Sequence, residues 1–567
     1  MNLASPAIVA QHAVRPLPRW ALVLLCLAYL LPGFVGRGPW KKFDIEAYGF
    51  MLQLARPMAQ GPVSWLHPTL LGQPEPNLAL LPTWLGAWAI GLAPEAWAVQ
   101  AARVPFMLML VLTMAATWHS VYALARLRAA QPVAFAFGGE AKPTDYARTL
   151  ADGGLLALLA CLGLAQRSHE ITPALGQLCF TALLFLGLAT LPRQRLLSGI
   201  AIAMGMLGLT LSGAPVLALL LGAGGVAVRV LASPEPDRRA LNMLELGLLG
   251  LLGLLCVTLA GALDLWRWRL VPHAMTDLHL FGRLLLWFTW PAGPLALWAL
   301  WRWRHQLLRG WRFAHIGLPL WFALVTVGVT WFTGLSDRAL LSGLPAIAAL
   351  AAFALPTLRR SVGAFIDWFT LLFFSMGALI IWTVWLSMET GWPAQPARNV
   401  ARSAPEFAHQ LVWPLLLVAA VASLAWLGLV RWRTGRHRQA LWKSLVLPAA
   451  GTTLCWLLLM TLWLPLLDHA RSYAPLMAKL QALNPGARCV QSVGLTNAQN
   501  AALMVHAGLH LRMAGQPSAD CNWLVTDTDG LEALRAPLAQ WGWQEDRRFR
   551  RPTDNNETLV IFRPAAP

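Results

Sequence analysis

Thirteen apolar stretches occupy the first 467 residues of this chain, and a polar tail, residues 468–567, follows them. A bilayer crossing takes roughly 20 mostly apolar residues. In lipid, only helices and closed barrels satisfy every backbone N–H and C=O. The layout therefore predicts an all-α polytopic membrane protein of about 13 transmembrane helices with a small C-terminal α/β domain. Composition agrees: 57% of the residues are hydrophobic and 12% charged, where soluble chains carry about 25% charged residues.

The net charge of +18 invites a nucleic-acid reading, which its placement excludes. Basic residues gather in short connections: Arg126 to Arg148, Arg193 with Arg195, Arg238 with Arg239, Arg302 to Arg312, Arg359 with Arg360, and Arg431 to Lys443. These fall in every second loop, the pattern of cytoplasmic connections. No basic stretch forms a separate polar domain, so no nucleic-acid partner is expected. Arg15 and Arg19 precede the first span and place the N-terminus inside. An odd number of spans then carries the tail to the outer side. The first outer loop is residues 36–100. Within it, residues 78–92 are apolar but short and interrupted by Pro82, which predicts a juxtamembrane or re-entrant helix against the outer face rather than a span.

The tail changes character. Helical spacing over 472–483 stops at Asn484-Pro485-Gly486. Strands are expected at 489–493, 523–526 and 558–563, with helices at 498–510 and 531–540. Of seven cysteines, only Cys489 and Cys521 lie in the tail. A lone pair in a domain outside an inner membrane is a candidate disulfide. The other five fall in spans and read as small apolar residues.

Polar residues at outer span ends carry the chemistry. Lys41, Lys42, Asp44 and Glu46 cluster just after the first span. Asp44 and Glu46 would diverge by about 200° on a helix, so they do not act as a close pair. One of them beside cations suits a general base near an anionic substrate. His169 and Glu170 follow the third span, and Asp337-Arg338 the ninth. A basic residue at a span end beside an acid requires a polar cavity. His273 and His279 lie six apart in the fourth outer loop and are candidates for a phosphate or a metal. Glu245, near the inner end of span seven, is the one feature that favours a transporter.

Three tracts then resemble a known family. Pro39-Trp40-Lys41-Lys42-Phe43-Asp44-Ile45-Glu46-Ala47-Tyr48 is similar to a Trp-x-x-Asp-Glu-x-x-Tyr region. Trp84-Leu85-Gly86-Ala87 and Ala101-Ala102-Arg103-Val104-Pro105 resemble the tract before the second span. Asp337-Arg338-Ala339-Leu340-Leu341-Ser342-Gly343-Leu344-Pro345 resembles an Arg-Tyr-Leu-Leu-Pro-x-x-Pro signature. With the span layout, these resemble the C-type glycosyltransferases, narrowly the bacterial aminoarabinose transferase and protein mannosyltransferase superfamily.

The resemblance implies an inner-membrane glycosyltransferase that moves a sugar from a polyprenyl-phosphate donor to a glycolipid or protein acceptor on the periplasmic face. It implies catalytic roles for Asp44, with Glu46 as the fallback, and Glu170. Lys41, Lys42, Arg103 and Arg338 become phosphate-binding candidates, with His169, His273 and His279 beside them. Two departures stand out. Ile45 splits the family's adjacent Asp-Glu pair. The family's Glu-Lys-Pro-Pro tract falls near Asn77-Leu78-Ala79-Leu80, which holds neither the acid nor the lysine. A divalent metal and the sugar's identity are left open by that difference. A transporter or flippase and a catalytically degenerate assembly protein are the alternatives.

Overall fold

The structure is a computed structural model. It describes residues 5–565 apart from 62, 77, 233–241, 269, 273–276, 308–312, 435–439, 484–486, 519–520 and 552–556. All thirteen apolar stretches form helices. Among the described residues, eight helices are long and apolar enough to cross a membrane. A ninth crossing appears if the bent pair Asp277–Thr289 and Ala292–Arg302, angled at 96°, is one broken span. Arg19–Leu30, Arg195–Leu211 and Pro215–Leu231 are apolar but shorter. The segment expected to lie against the membrane is a helix, Leu80–Leu92.

Inside the bundle, backbone and side chains settle their polar groups locally, as a low-dielectric setting demands. In Ala98–Ala125, Thr113 donates to the Met109 carbonyl, Thr117 to that of Thr113 and Ser120 to that of Ala116. Close helix approach depends on missing side chains. A Cβ on Gly205 would sit 2.7 Å from the Leu184 backbone nitrogen, and one on Gly187 2.9 Å from the Ser198 carbonyl. That contact binds Pro173–Thr190 to Arg195–Leu211. Glu245, the acid that suggested transport, caps a helix instead. Its backbone N–H donates to Asn242, its carboxylate accepts from the Asn242 N–H, and it pairs with Arg195.

The C-terminal part holds a five-stranded sheet in the order His510–Met513, Cys489–Ser492, Leu524–Asp527, Thr558–Pro564, Trp543–Arg550. The first three strands run parallel and the last two pair antiparallel. Register is fixed by apolar partners such as Val490 with Leu511 and Val525 with Ile561. Two of these strands, His510–Met513 and Trp543–Arg550, differ from the sequence reading. The predicted helix 498–510 ends at Ala507, because Gly508 takes a left-handed φ of +62° and stops it. The predicted stop at 484–486 lies outside the described residues. Cys489 and Cys521 are disulfide-bonded, their Cα atoms 5.1 Å apart.

This sheet is joined to the first loop. Leu511 donates to the Met58 carbonyl and accepts from the Gln60 N–H, so residues 58–60 extend the edge strand. The helix Asn497–Ala507 packs on the acid-bearing helix Phe43–Ala55 through Gly49. A Cβ there would lie 2.4 Å from that of Ala501. The tail and the acids of the first loop therefore share one end of the bundle.

Candidate active site

The acid helix Phe43–Ala55 begins at Lys42 and carries Asp44 and Glu46 in its first turn. Carboxylates there meet the positive end of the helix dipole. The loop before it makes tight turns at Gly33 and Gly36, both at positive φ. Any side chain at Gly33 would also strike Trp456, at 2.5 Å. The turn delivers Arg37 into the interior, where its side chain is fully buried.

Asp44 is buried and met by three donors. Arg37 Nη2 lies 2.7 Å from Oδ2, the Trp40 N–H 3.1 Å from Oδ2, and the Ile171 N–H 2.8 Å from Oδ1. Arg37 also donates to the His169 carbonyl at 2.9 Å. A second ion cluster adjoins the first through residues 169–171. Glu170 accepts from Arg338 at 2.7 Å and from Arg167 at 2.8 Å, and Arg167 Nε reaches Asp337 at 2.7 Å. The Arg338 guanidinium covers the Phe43 ring at 3.9 Å. Asp44, Glu170 and Arg338, which come from three separate span ends, thus converge.

Other candidates divide. Lys41 Nζ lies 3.4 Å from Glu557 of the C-terminal part, and Lys42 is exposed. Arg103 is not aimed at a substrate space. It is buried and donates to the Phe34 and Gly38 carbonyls at 3.1 and 3.0 Å, clamping the loop. His169 is likewise a packing post. Its ring sits between Tyr29, Phe34 and Trp456, with its nitrogens facing the Ala165 and Tyr29 carbonyls. Burial brings its pKa down to about 3, against the pull of the Ala165 carbonyl. A neutral wedged ring does not serve as a phosphate ligand. His279 is exposed on the helix Asp277–Thr289, apart from the cluster, and His273 lies outside the described residues.

Glu46 points to a different wall. It is half-buried, and Asn497 of the tail approaches it at 3.4 Å. Burial raises its pKa, and the Asn497 contact opposes that rise. Facing it is Glu75, a residue the sequence reading missed. Glu75 follows the two-residue hairpin of Thr69–Leu70 with Gln73–Pro74 and is 5% exposed. Burial first, then the charge of Glu46, pushes its pKa up to about 8, with Thr83 opposing. Among the described residues no three His, Cys, Asp or Glu side chains converge on a metal position. Two carboxylates alone do not form a closed protein cage for a divalent cation.

Asp468 and Arg471 were also missed. They lie on the helix Leu464–Arg471, which joins the last long helix to the tail. Asp468 accepts from Trp40 Nε1 at 2.5 Å and from the Gly38 N–H at 3.4 Å. Burial raises its pKa, opposed by the Trp40 contact. The spacing of Trp40 and Asp468 in sequence, 428 residues, gave no signal.

Behind the ion clusters runs an apolar cavity of about 770 Å³, lined by Leu162, Ala165, Phe369, Phe373, Trp456 and Leu459 among others. Its outer wall, the helix Arg360–Thr390, is open to the surroundings at Leu372, Met376 and Ile380. Its inner wall is shared with the site, since the Trp456 and His169 rings lie 4.8 Å apart and Trp40 packs in the same cluster as Trp456.

No protein-family model matches the chain, and no curated protein matches it. Two solved structures are similar over nearly all of it. One is ArnT from Cupriavidus metallidurans bound to undecaprenyl phosphate, with a TM-score of 0.59 at 14% identity, covering 96% of this chain and 97% of that one. The other is the same protein in the apo state, with a TM-score of 0.60 at the same identity and coverage. The chain has the ArnT fold. The three sequence tracts quoted above thus lie in the fold they suggested. With its long apolar helices, that fold makes this a multi-pass membrane protein.

Proposed function

We propose that this chain is a membrane glycosyltransferase that moves a sugar from a polyprenyl-phosphate carrier to a glycolipid or protein acceptor. The observation that carries this reading is a contiguity. Two carboxylate–guanidinium clusters, Asp44 with Arg37 and Glu170 with Arg167 and Arg338, adjoin a laterally open apolar cavity through His169, whose carbonyl accepts from Arg37 and whose ring lies 4.8 Å from Trp456 in the cavity wall. A lipid-linked donor needs both: a groove that accepts isoprenoid from the bilayer and cations beside its phosphate. An ArnT crystal structure holding undecaprenyl phosphate supports the carrier class.

The reaction is an inverting displacement. A carboxylate takes the acceptor's proton, the acceptor oxygen attacks the anomeric carbon, and the carrier phosphate leaves with the bonding electron pair toward the cations. In our reading Asp44 is the base and Glu46 the alternative. Asp44 has its oxygens engaged by three donors, so a phosphate that draws Arg37 away would leave Oδ2 with the Trp40 N–H alone and a lone pair open to a proton. Glu46 is half-exposed, and its raised pKa makes it the stronger base once ionised. Glu170 holds Arg338 and Arg167 at the leaving-group side. We count thirteen crossings: the eight long helices, the bent pair, Arg19–Leu30, Arg195–Leu211, Pro215–Leu231 and, as the third span, Pro143–Ala160. The N-terminus then lies in the cytoplasm, and the unit 468–567 in the periplasm of a bacterial inner membrane above a transferase unit 1–467.

Mass spectrometry of envelope lipids from cells with and without this chain tests the reading. One hexose or pentose mass step should vanish with the chain and with Asp44→Asn or Glu170→Gln expressed at wild-type level. Unchanged envelope lipids and glycoproteins would remove the proposal.

A further inference from the structure

Each guanidinium of the two ion clusters has a carboxylate partner. Arg37 pairs with Asp44, Arg167 with Asp337 and Glu170, and Arg338 with Glu170. Arg471 makes no ion pair among the described residues. It ends the helix Leu464–Arg471, and its carbonyl accepts from the Lys41 N–H at 2.9 Å, so its backbone is tied to the first loop. Its guanidinium lies 5.2 Å from the centre of the Trp40 ring, and that of Arg37 lies 4.4 Å from the same ring. The indole is held by its edge, through Nε1 to Asp468 on the Arg471 helix. Two cations are thus gathered on one aromatic ring. Burial lowers the pKa of Arg471, and Arg167 and Arg37 lower it further while Glu170 opposes them. Arg37 adds a second signal: its Nε and Nη1 are buried with no acceptor.

Buried guanidinium donors without acceptors, such as Nε and Nη1 of Arg37, are costly, and the exposed Arg471 on the same ring adds a cation that no described carboxylate pairs with. Planar N–H forks suit phosphate oxygens above other anions. We propose that Arg471 and Arg37, gathered on Trp40, receive the phosphate of a membrane lipid, so that the helix leading into the C-terminal tail completes the site. This rests on the sugar-transfer reading, in which that phosphate is the carrier's. Asp468 is a positioning residue here, holding the indole on which both guanidiniums gather.

The test uses the full-length wild-type chain in nanodiscs. Phenylglyoxal modification of Arg471 is followed by peptide mass spectrometry with undecaprenyl phosphate, undecaprenol or phosphatidic acid present. Undecaprenyl phosphate should slow the labelling at least about fivefold, and undecaprenol should leave it unchanged. Protection by undecaprenyl phosphate alone assigns the phosphate to the carrier. Equal protection by phosphatidic acid keeps Arg471 as a lipid-phosphate ligand but assigns it to phospholipid. Arg471→Gln should weaken undecaprenyl phosphate binding by about tenfold and Arg471→Lys by less, with undecaprenol binding unaltered. If undecaprenyl phosphate binds the wild type no better than undecaprenol, this inference and the transferase reading both fall. If it binds better yet leaves Arg471 labelling unchanged, the inference alone falls.

Discussion

The two walls of the site differ in how they balance charge. Around Asp44 and Glu170, each carboxylate meets at least one guanidinium, and backbone N–H groups take up further lone pairs. Around Glu46 and Glu75, two carboxylates face each other, and their described hydrogen-bond partners are Asn497, Thr83 and backbone. The first wall is a frame whose charges hold one another in place. The second favours the protonated acid at Glu75, because burial and the neighbouring Glu46 both raise its pKa. The contrast teaches that acidity in the first loop is not one property: Asp44 and Glu46, two residues apart, occupy opposite electrostatic settings.

The largest effect should come from breaking the frame. Arg37→Met leaves Asp44 buried without its cation, and removing one partner of a buried ion pair costs about 3–5 kcal/mol. Denaturant unfolding in detergent should show that loss, and sugar transfer should disappear. Adding Asp44→Asn should restore part of the stability but none of the transfer, with a coupling of about 1–3 kcal/mol. Additive losses would mean that the pair is not a pair in solution.

Glu170→Gln comes next. Its partners Arg167 and Arg338 are partly exposed, with side-chain exposures of 26% and 18%, so solvent screens part of the lost attraction. Arg167 keeps Asp337, and Arg338 keeps the Phe43 face. Stability should fall by only about 1–2 kcal/mol, while transfer falls more than about a hundredfold, since leaving-group cations act mainly in the transition state. A stability loss matching that of Arg37→Met would erase the distinction between the two clusters.

Much of this architecture can be read in the residues, and the exceptions have physical causes. Apolar runs of sufficient length force helices wherever they occur, which is why all thirteen appeared. Their place in the bundle is invisible to the same signal. Met243–Ala262 and Lys443–Leu462 are both long and apolar, yet 11% and 83% of their windows are buried. The strand Trp543–Arg550 carries Glu545, Asp546 and three arginines on an exposed edge, a composition that reads as loop. Glu75 is flanked by Pro74 and Pro76 and reads as a turn, although folding buries it against Glu46. Arg103 and His169 look like ligands because charge and aromaticity near a span end suggest a pocket, but the tight turns at Gly33 and Gly36 needed a clamp and a wedge there. Asp468 and Arg471 gain their roles through contacts with Trp40 hundreds of residues away, which spacing cannot carry.

The second wall can be probed by pH. Burial, and then the charge of Glu46, pushes the Glu75 carboxyl up to about 8 from an ordinary glutamate value of 4.5. The folded state therefore binds the extra proton between those values, and stability falls as pH rises through that window. Glu75→Gln removes the titration. Melting curves of variant and wild type should nearly coincide at pH 4.5 and separate progressively up to pH 8.5, with the variant the more stable. A constant difference across the range would show that Glu75 titrates like an exposed acid.

The smallest expected effect tests whether the tail tunes the acid helix. Asn497 donates to Glu46 at 3.4 Å, a long contact, and the pull it exerts opposes the rise that burial causes. Removing it with Asn497→Ala should raise the Glu46 pKa further, by less than about one unit, since a neutral hydrogen bond contributes about 1 kcal/mol net. Carbodiimide labels protonated carboxyls, so labelling of Glu46 against pH, read by peptide mass spectrometry, should show its midpoint move upward. Asn497→Asp should move it further, because a second negative charge then replaces a donor. Arg37 and Asp44 lie on the other wall and should respond to neither change. A shift in Glu46 with Asn497→Asp but not with Asn497→Ala would mean that the tail acts through its field alone, and that the long hydrogen bond contributes nothing.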